Sequence, residues 1–365
     1  MRSCALFFPA IAMLLSAALY SSENKREMIS FTAKEKQGAT EAIQPGETIS
    51  SENQIDAKKL VVAKNAINGF TNVEFLYWRA EGDRWVYAYT LDSGQALIAP
   101  GNLDAQTTGV KTLRGKAEWK PGARVELGYS TAFHWNISGI WTYYHNRSVS
   151  TYRADNGLAG NIVLAGTHAH SVSRINYNVG DLQFSSCFQL LKNLSLKPYF
   201  SVRGAWIEQN QRNRFTGSPI PTGLFNGTYR QAIDWSGYGP RLGMDVACHF
   251  GKTGLSFFGG LSASLLFGNL HTKINLDYLG TLAPVFVETR DRSHALKTNL
   301  QALIGADMKW WFDHCKKAIA LYAAWETNYW WHIEALTPLR ANLTNYLTSQ
   351  DLILSGLSAG LAFEF

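Results

Sequence analysis

The chain has 365 residues, of which 46% are hydrophobic and only 17% are charged. This charged fraction is low for a soluble protein, and a mean hydropathy of −0.13 is too polar for a bundle of membrane helices. The net charge of +6 comes without a clustered stripe of Lys and Arg, so nucleic-acid binding is not expected. A transmembrane β-barrel fits these limits, because only alternate residues of its strands contact lipid.

The first 22 residues have the features of a secretory signal peptide. Arg2 precedes an apolar run from Cys4 to Leu19, and Ser16-Ala17-Ala18 supplies small residues for cleavage. The run is shorter than the roughly 20 residues that a membrane-spanning helix needs. We therefore predict that residues 1–22 are a cleaved export signal rather than an anchor.

Residues 23–68 differ in composition from the rest of the chain. They are polar and poor in aromatic residues, as expected of a linker. Near their end, Leu60, Ala63 and Ile67 follow helical spacing, which predicts a short periplasmic helix. We interpret the segment as a polar periplasmic tether, and a plug at the barrel mouth is the alternative.

From residue 69 to residue 365 the sequence consists of long alternating segments separated by turn residues. In residues 118–130, Trp119 and Tyr129 bracket an apolar face, while Arg124 and Glu126 lie on the other face. At about 3.3 Å per residue and a tilt near 40°, the two aromatics are about 25 Å apart along the membrane normal. The segment is also longer than the roughly 5–6 residues of an ordinary soluble strand. The pattern predicts an all-β fold, an antiparallel transmembrane β-barrel.

Loop lengths assign the two sides of this barrel. Tight turns are predicted to be periplasmic, and they lie near residues 130–132, 251–254 and 313–316, with a slightly longer one at 185–193. Long Gly/Asn-rich segments are predicted to be extracellular loops, and they lie near residues 147–170, 217–226, 279–292 and 333–352. Nine crossings after residue 118 and one at residues 69–80 give ten strands. Residues 84–90 break this parity and are predicted to extend a strand or form a hairpin in the first extracellular loop. Twelve strands is the alternative.

The last segment, residues 357–365, alternates and ends on Phe365, which is typical of the final strand of bacterial outer-membrane barrels. Gly356-Leu357-Ser358-Ala359-Gly360 matches a hydrolase nucleophile motif. That motif requires a strand-to-helix elbow, whereas this copy lies inside an alternating strand, so we interpret it as barrel wall. Aromatic clusters at other strand ends predict interfacial girdles; they are Trp310-Trp311-Phe312 and Tyr329-Trp330-Trp331.

Neither the histidines nor the cysteines predict a metal or redox site. His168 and His170 lack a neighbouring carboxylate or Cys ligand. After signal cleavage, Cys187, Cys248 and Cys315 remain, in an oxidising compartment. The sequence agrees with one intramolecular disulfide, with a disulfide-linked partner or with three unpaired thiols. It also agrees with either a monomer or a homo-oligomer.

Several ordered stretches also match a known family. They are Tyr177-Asn178-Val179-Gly180-Asp181-Leu182, residues 197–207, residues 235–244, residues 255–269, Ala324-Trp325-Glu326 and Phe75-Leu76-Tyr77-Trp78. Together they resemble the pore-forming major outer membrane protein family first described in Legionella, over most of the chain from residue 70 to residue 365. The resemblance implies an outer-membrane location and a porin. It implies no catalytic, cofactor-binding or metal-binding residue.

Charged residues on the polar strand faces are predicted to line the lumen, because an Arg or Lys that faces lipid at mid-membrane costs about 2–4 kcal/mol. The candidates are Lys120, Arg124, Glu126, Arg174, Lys197, Arg203, Arg241, Asp245, Lys297, Asp307, Lys309 and Glu326. Eight are basic and four are acidic. This balance predicts a narrow, anion-leaning aqueous pore. A salt-bridged plug is the alternative, because a barrel of this size leaves limited space.

The sequence therefore predicts passive diffusion of small hydrophilic solutes, without enzymatic turnover or cofactor. The alternative is a non-conducting surface barrel that acts as an adhesin or structural protein, and an enzyme barrel is a third hypothesis. The expected partners are outer-membrane lipids, lipopolysaccharide and the small hydrophilic solutes, with no nucleic acid. Because the solute and the open diameter depend on how side chains meet inside the barrel, the sequence does not predict them.

Overall fold

The computed structural model describes residues 68–82, 86–90, 112–131, 135–159, 165–191, 193–217, 226–250, 253–279, 284–312, 317–334 and 350–365. Within these ranges the regular structure is β, and none of it is a helix long and apolar enough to cross a membrane. The predicted signal peptide, the predicted linker up to residue 67 with its short helix, and Cys315 lie outside the described residues.

Ten strands form a closed wall. They are β1 (Asn68–Gly82), β4 (Trp119–Ser130), β5 (Trp135–Ala159), β6 (Ala165–Ser186), β8 (Leu194–Thr216), β9 (Gly227–His249), β10 (Leu255–Leu279), β11 (Pro284–Phe312), β12 (Lys317–Glu334) and β13 (Gln350–Glu364). Each pairs antiparallel with its neighbours, and β1 pairs with both β4 and β13, so the sheet closes on itself. The predicted ten-stranded barrel is confirmed.

Three short strands add to this wall. Strand β2 (Val86–Thr90) pairs with β3 (Thr112–Arg114) and with the end of β5, and β7 (Phe188–Leu191) pairs with β8. The pair β2–β3 lies in the connection between β1 and β4, where the sequence predicts a strand extension or hairpin. The described strands therefore need no twelve-stranded wall.

The strand register sets the width of the barrel. A path of directly opposite residues that leaves β1 at Asn68 passes through all ten strands and returns to β1 at Ala80, twelve residues along (80 − 68). A shear of this size over ten strands gives a tilt of about 40° and a diameter of about 20 Å between opposite backbones. Long inward side chains from facing walls can therefore contact each other across the lumen.

Side chains alternate between an apolar outer face and the interior. On β10, Leu261, Leu265 and Phe267 are exposed, whereas Ser262 and Ser264 are buried. Exposed apolar and buried polar residues reverse the pattern of a soluble protein, because the outer face contacts lipid. The alternation that the sequence shows is therefore the alternation of the folded wall.

The first and last strands meet at a seam on the side of the short turns, which we call the turn end. Phe70 lies opposite Glu364, and the Phe365 N–H donates to the carbonyl of Gly69 at 2.9 Å. Phe365 therefore lies at the rim of the turn end. The opposite side, where β2 and β3 lie, is the loop end.

Two segments predicted to be extracellular loops are instead largely strand. Residues 147–159 and 165–170 continue β5 and β6, and residues 284–292 begin β11. Outward side chains there include Arg147, which is exposed. Backbone pairing between strands does not require an apolar outer face, so these strands continue beyond the apolar band, where their polar outward side chains contact water. The prediction of loops was wrong for these residues.

Gly268 permits a close approach between β9 and β10. A Cβ atom at Gly268 would lie 2.0 Å from the carbonyl oxygen of Ser236, whereas a Cβ at Gly139 would meet nothing within 4 Å. We expect Gly268→Ala to lower the free energy of unfolding by about 1–3 kcal/mol, because the two backbones must separate. Gly139→Ala is the control and should have little effect. Urea unfolding of the barrel in lipid vesicles measures both, and equal midpoints for the two variants would contradict the expectation.

Candidate functional site

A network of hydrogen-bonded side chains crosses the barrel interior near the middle of the strands. We call it the mid-lumen network, and every wall strand contributes to it. Its members in wall order are Glu74, Arg124, Thr142, Asp181, Arg203, Arg241, Ser262, Gln301, Glu326 and Ser358. The network therefore ties the whole circumference of the barrel together.

On one side of the network, Arg124 lies between two carboxylates. Its Nη1 donates to Glu74 Oε2 at 2.9 Å, and its Nη1 and Nη2 donate to the two carboxylate oxygens of Glu326 at 2.9 and 2.8 Å. Its Nε donates to Thr142 Oγ1 at 3.0 Å. Glu74 lies directly opposite Arg124 on the adjacent strand, but Glu326 lies three strands away across the seam. The bidentate pair with Glu326 is thus a contact across the lumen.

On the other side, Asp181 lies between two arginines. Arg203 donates from Nε and Nη2 to the two oxygens of Asp181 at 2.8 and 2.9 Å, and Arg241 Nη1 donates to Asp181 Oδ2 at 3.3 Å. Arg241 also donates to Ser262 and lies over the ring of Tyr199. The side chains of Arg203 and Asp181 are only 4% and 3% exposed. In this buried ion cluster one carboxylate lies between two guanidinium groups, whereas in the first cluster one guanidinium group lies between two carboxylates.

Gln301 joins the two clusters. Its Nε2 donates to Glu326 Oε1 at 2.6 Å, and its Oε1 accepts from Arg241 Nη2 at 2.7 Å and from Arg203 Nη2 at 3.2 Å. The three arginines and the three carboxylates of the network have equal and opposite formal charge. At this depth the lumen therefore has no excess of the positive charge that an anion preference would require.

The structure distributes the predicted lumen residues over several depths. Four of them belong to the mid-lumen network: Arg124, Arg203, Arg241 and Glu326. Five lie nearer the turn end and are half-buried: Glu126, Lys197, Asp245, Asp307 and Lys309. Lys197 is directly opposite Asp245 in register, and Lys309 Nζ donates to both oxygens of Glu364 at 2.6 and 2.8 Å. Positive side chains at the turn end therefore face carboxylates.

Three predicted residues lie towards the loop end. Lys120 pairs with Glu118 at 2.8 Å, and the buried Lys297 donates to the carbonyl of His332. Arg174 is exposed on the outward face, directly opposite Arg147, so its prediction as a lumen residue was wrong. Its position is beyond the apolar band, where an outward arginine does not face hydrocarbon.

The sequence-based list omits two charged members of the network, Glu74 and Asp181. Each is flanked by outward residues, as in Val73-Glu74-Phe75, so alternation alone could have identified them. With both included and Arg174 removed, the interior has seven basic and six acidic candidates instead of eight and four. The basic excess that predicted an anion-leaning lumen is largely removed.

Towards the loop end, five large aromatic side chains fill the interior above the network. We call Trp78, Tyr144, Tyr177, Trp235 and Trp330 the aromatic layer, and all five are buried. The ring centroids of Tyr177 and Trp330 are 6.1 Å apart, although their strands lie on opposite walls. Trp330 was predicted to belong to an interfacial girdle. It instead points inward, whereas Trp310 and Trp311 are exposed.

A further cluster of buried residues lies inside the barrel near the loop end. Tyr87 and Ala88 of β2 and Leu113 of β3 pack with buried residues of the long strands, including Phe215 and Tyr229. Together, the network, the aromatic layer and this cluster occupy successive depths of the barrel. In the part of the barrel that the structure describes, these layers leave no wide aqueous path.

Outside these layers, the described residues give no metal or redox centre. Cys187 and Cys248 are free thiols. His170 is exposed, with Nδ1 3.0 Å from Thr151 Oγ1. Within the described ranges, no three His, Cys, Asp or Glu side chains are arranged to hold a metal ion.

The model of a bacterial family matches residues 68–365, and its description is the Legionella pneumophila major outer membrane protein precursor. The match covers most of the chain. The protein belongs to this family. Family membership and the closed ten-stranded barrel place this family member in the outer membrane, as the sequence predicted, with its turn end assigned to the periplasm and its loop end to the cell surface.

Solved structures share the barrel architecture at low identity. The outer membrane protease OmpT of Escherichia coli is 10% identical, with 82% of this chain and 97% of that chain covered and a TM-score of 0.37. A mutant of the Pseudomonas putida monoaromatic hydrocarbon channel TodX is 11% identical over 84% and 91%, with a TM-score of 0.34. Ail of Yersinia pestis is 9% identical over 82% and 99%, with a TM-score of 0.21. No curated protein matches the chain.

Proposed function

We propose that this barrel lets small hydrophilic solutes diffuse passively across the outer membrane, and that the conformation described here is its closed state. The observation that supports this most is the mid-lumen network, to which all ten strands contribute a polar side chain. Buried ion pairs lose much hydration energy, so they stabilise a closed interior less than their number suggests. Water that enters the network hydrates these charges again, and the hydration energy recovered in this way lowers the free energy of opening.

The aromatic layer provides a second barrier in series with the network. Because Tyr177 contacts Trp330 across the lumen, solute passage requires these rings to separate. The free energy of opening then contains contributions from both layers. Weakening either layer by about 1.4 kcal/mol should raise the open-to-closed ratio about tenfold.

The same aromatic contact favours a second candidate function, a non-conducting surface barrel with an adhesive or structural role. In that case the layers would stabilise the wall permanently and the loop end would provide the functional surface. The network gives no support for enzymatic turnover. Ser358, the serine of the hydrolase-like motif, donates to Glu326 Oε2 at 3.0 Å inside the wall, so we propose no catalytic role and no cofactor for it.

Planar-bilayer recordings of refolded protein test passive diffusion. For the wild type we expect brief, infrequent openings. Arg124→Gln removes the cation between Glu74 and Glu326 and should raise the open fraction about tenfold, with a shift towards cation selectivity. Lys120→Gln is the matched control, because its ion pair with Glu118 is only half-buried and lies outside the network, and its recordings should resemble those of the wild type.

Folded barrels are first verified by their heat-dependent mobility on SDS gels. An absence of channel steps in folded wild type and folded Arg124→Gln would contradict passive diffusion and favour the non-conducting barrel. Equal effects of Arg124→Gln and Lys120→Gln would contradict the assignment of the network as a barrier.

A further inference from the structure

A group of unpaired arginines lies on the outward face of the extended strands, on the loop side of the apolar band. We call it the outer arginine band, and it consists of Arg147, Arg174, Arg212, Arg214 and Arg230. All five are exposed. None of them forms an ion pair with a carboxylate in the part of the chain that the structure describes.

The strand register brings four of these charges together. Arg147 lies directly opposite Arg174, and Arg212 lies directly opposite Arg230. Arg174 and Arg212 are diagonal neighbours, because Arg174 is opposite Asn210. Like charges directly opposite on a sheet are about 4.5–5.5 Å apart at Cβ and destabilise it. A bound anion would remove this repulsion.

The depth of the outer arginine band along the membrane normal indicates which anion it can bind. Tyr143, an exposed aromatic at the upper edge of the apolar face of β5, is four residues from Arg147. With a tilt near 40°, this places Arg147 about 10 Å above that aromatic along the membrane normal. Because directly opposite residues rise towards the loop end from strand to strand, Arg212 and Arg230 lie about 11 and 14 Å further from the membrane centre than Arg147. The band therefore begins at the level of the headgroups and continues outward from there. Two carboxylates on the same outward face, those of Glu208 and Asp234, lie nearer the lipid than the arginines of the band do. Glu208 accepts a hydrogen bond from Asn176 at 2.8 Å.

We infer that the outer arginine band binds the phosphate groups of a lipopolysaccharide headgroup in the outer leaflet. Guanidinium groups form charge-assisted bidentate hydrogen bonds with phosphate oxygens. From Arg147 to Arg230 the band extends over three strand spacings and two residues along the strand, about 16 Å in all, so it can contact more than one phosphate group of the same headgroup. This inference depends on the outer-membrane location and not on conduction through the lumen.

Native mass spectrometry of the detergent-purified protein with bisphosphorylated lipid A tests the inference. The test variant is Arg174→Gln/Arg212→Gln, and its lipid A binding is expected to be at least about tenfold weaker than that of the wild type. The matched control is Lys273→Gln/Arg290→Gln on the same outer face. Both of its side chains are already paired with Glu288, at 3.3 and 2.6 Å, so its binding should match the wild type.

Competition distinguishes the source of the phosphate. Monophosphorylated lipid A should bind more weakly than the bisphosphorylated form, and neither phosphatidylglycerol nor inorganic phosphate should displace lipid A at equal concentration. Wild-type binding by folded Arg174→Gln/Arg212→Gln would overturn the inference. So would an equal loss in the control variant, or displacement by phosphatidylglycerol or inorganic phosphate. Unchanged heat-dependent gel mobility verifies that each variant is folded, and Arg147→Gln/Arg230→Gln provides a second pair from the same band.

Discussion

Replacing Arg203 with methionine is expected to lower the free energy of unfolding by about 3–5 kcal/mol. Arg203 provides both short hydrogen bonds to Asp181 and also donates to Asn299 and Gln301. Without it, the 3.3 Å contact with Arg241 is the ion pair that remains for the buried Asp181 carboxylate within the described residues. The loss is large because an uncompensated charge remains in the interior. Urea unfolding in lipid vesicles, followed by tryptophan fluorescence, measures it.

Two further variants separate this cause from a general effect of losing an arginine. Arg79→Met removes an arginine whose ion pair with Glu81 is about 40% exposed on both sides, so its cost should be about 0–1 kcal/mol. The triple variant Asp181→Leu/Arg203→Met/Arg241→Met removes every charge of this cluster and should recover at least half of the loss, since Glu74 and Glu326 still share Arg124 and no buried carboxylate lacks a guanidinium partner. An Arg203→Met midpoint equal to that of the wild type, or a triple variant less stable than the single one, would contradict the account of the network.

Replacing Trp330 with alanine is expected to cost about 3–5 kcal/mol in stability and to increase channel opening. The Trp330 ring lies 6.1 Å from Tyr177 and 5.8 Å from Trp235 between centroids, so its removal leaves a cavity across the lumen. The aromatic layer would then no longer connect opposite walls. If the barrel conducts, openings should become more frequent than those of the wild type by about tenfold or more.

Trp325→Ala provides the control on the same strand. Trp325 is 43% exposed on the outward face, where its loss changes contact with lipid and with Trp119 but leaves the lumen filled. We expect a smaller loss of stability and no change in opening frequency. If Trp325→Ala opened the channel as much as Trp330→Ala, the aromatic layer would not be the barrier. If Trp330→Ala cost no stability, the ring would not be part of a packed interior.

Much of the wall could be predicted from the sequence, because alternation in a strand depends only on local geometry. The ten strands and the inward positions of Arg124, Arg203, Arg241 and Glu326 follow from it. The partners of these charges could not be predicted in the same way. Arg124 meets Glu326 from three strands away, and that contact depends on the shear with which the sheet closes. No short stretch of sequence contains this information.

The errors have a common physical origin. The predictions assume that inward residues are polar and that no charged residue points outward. This assumption holds only where the outer face contacts hydrocarbon. Near the loop end, Trp330 and Tyr177 face inward and fill the lumen, while Arg174 faces outward into the headgroup level. Near the loop end the sequence pattern still separates inward from outward positions, but it does not show at which residue the membrane ends.

The mid-lumen network also has a consequence for how the barrel assembles. Glu74 and Arg124 lie on one side of the seam, and Glu326 and Ser358 lie on the other. In a sheet whose first and last strands have not yet met, Glu326 lacks its guanidinium partner, and a partly inserted intermediate would hold an uncompensated charge. Joining β1 to β13 therefore coincides with neutralising that charge. This coupling favours insertion as a single cooperative step, with few long-lived open sheets in the membrane.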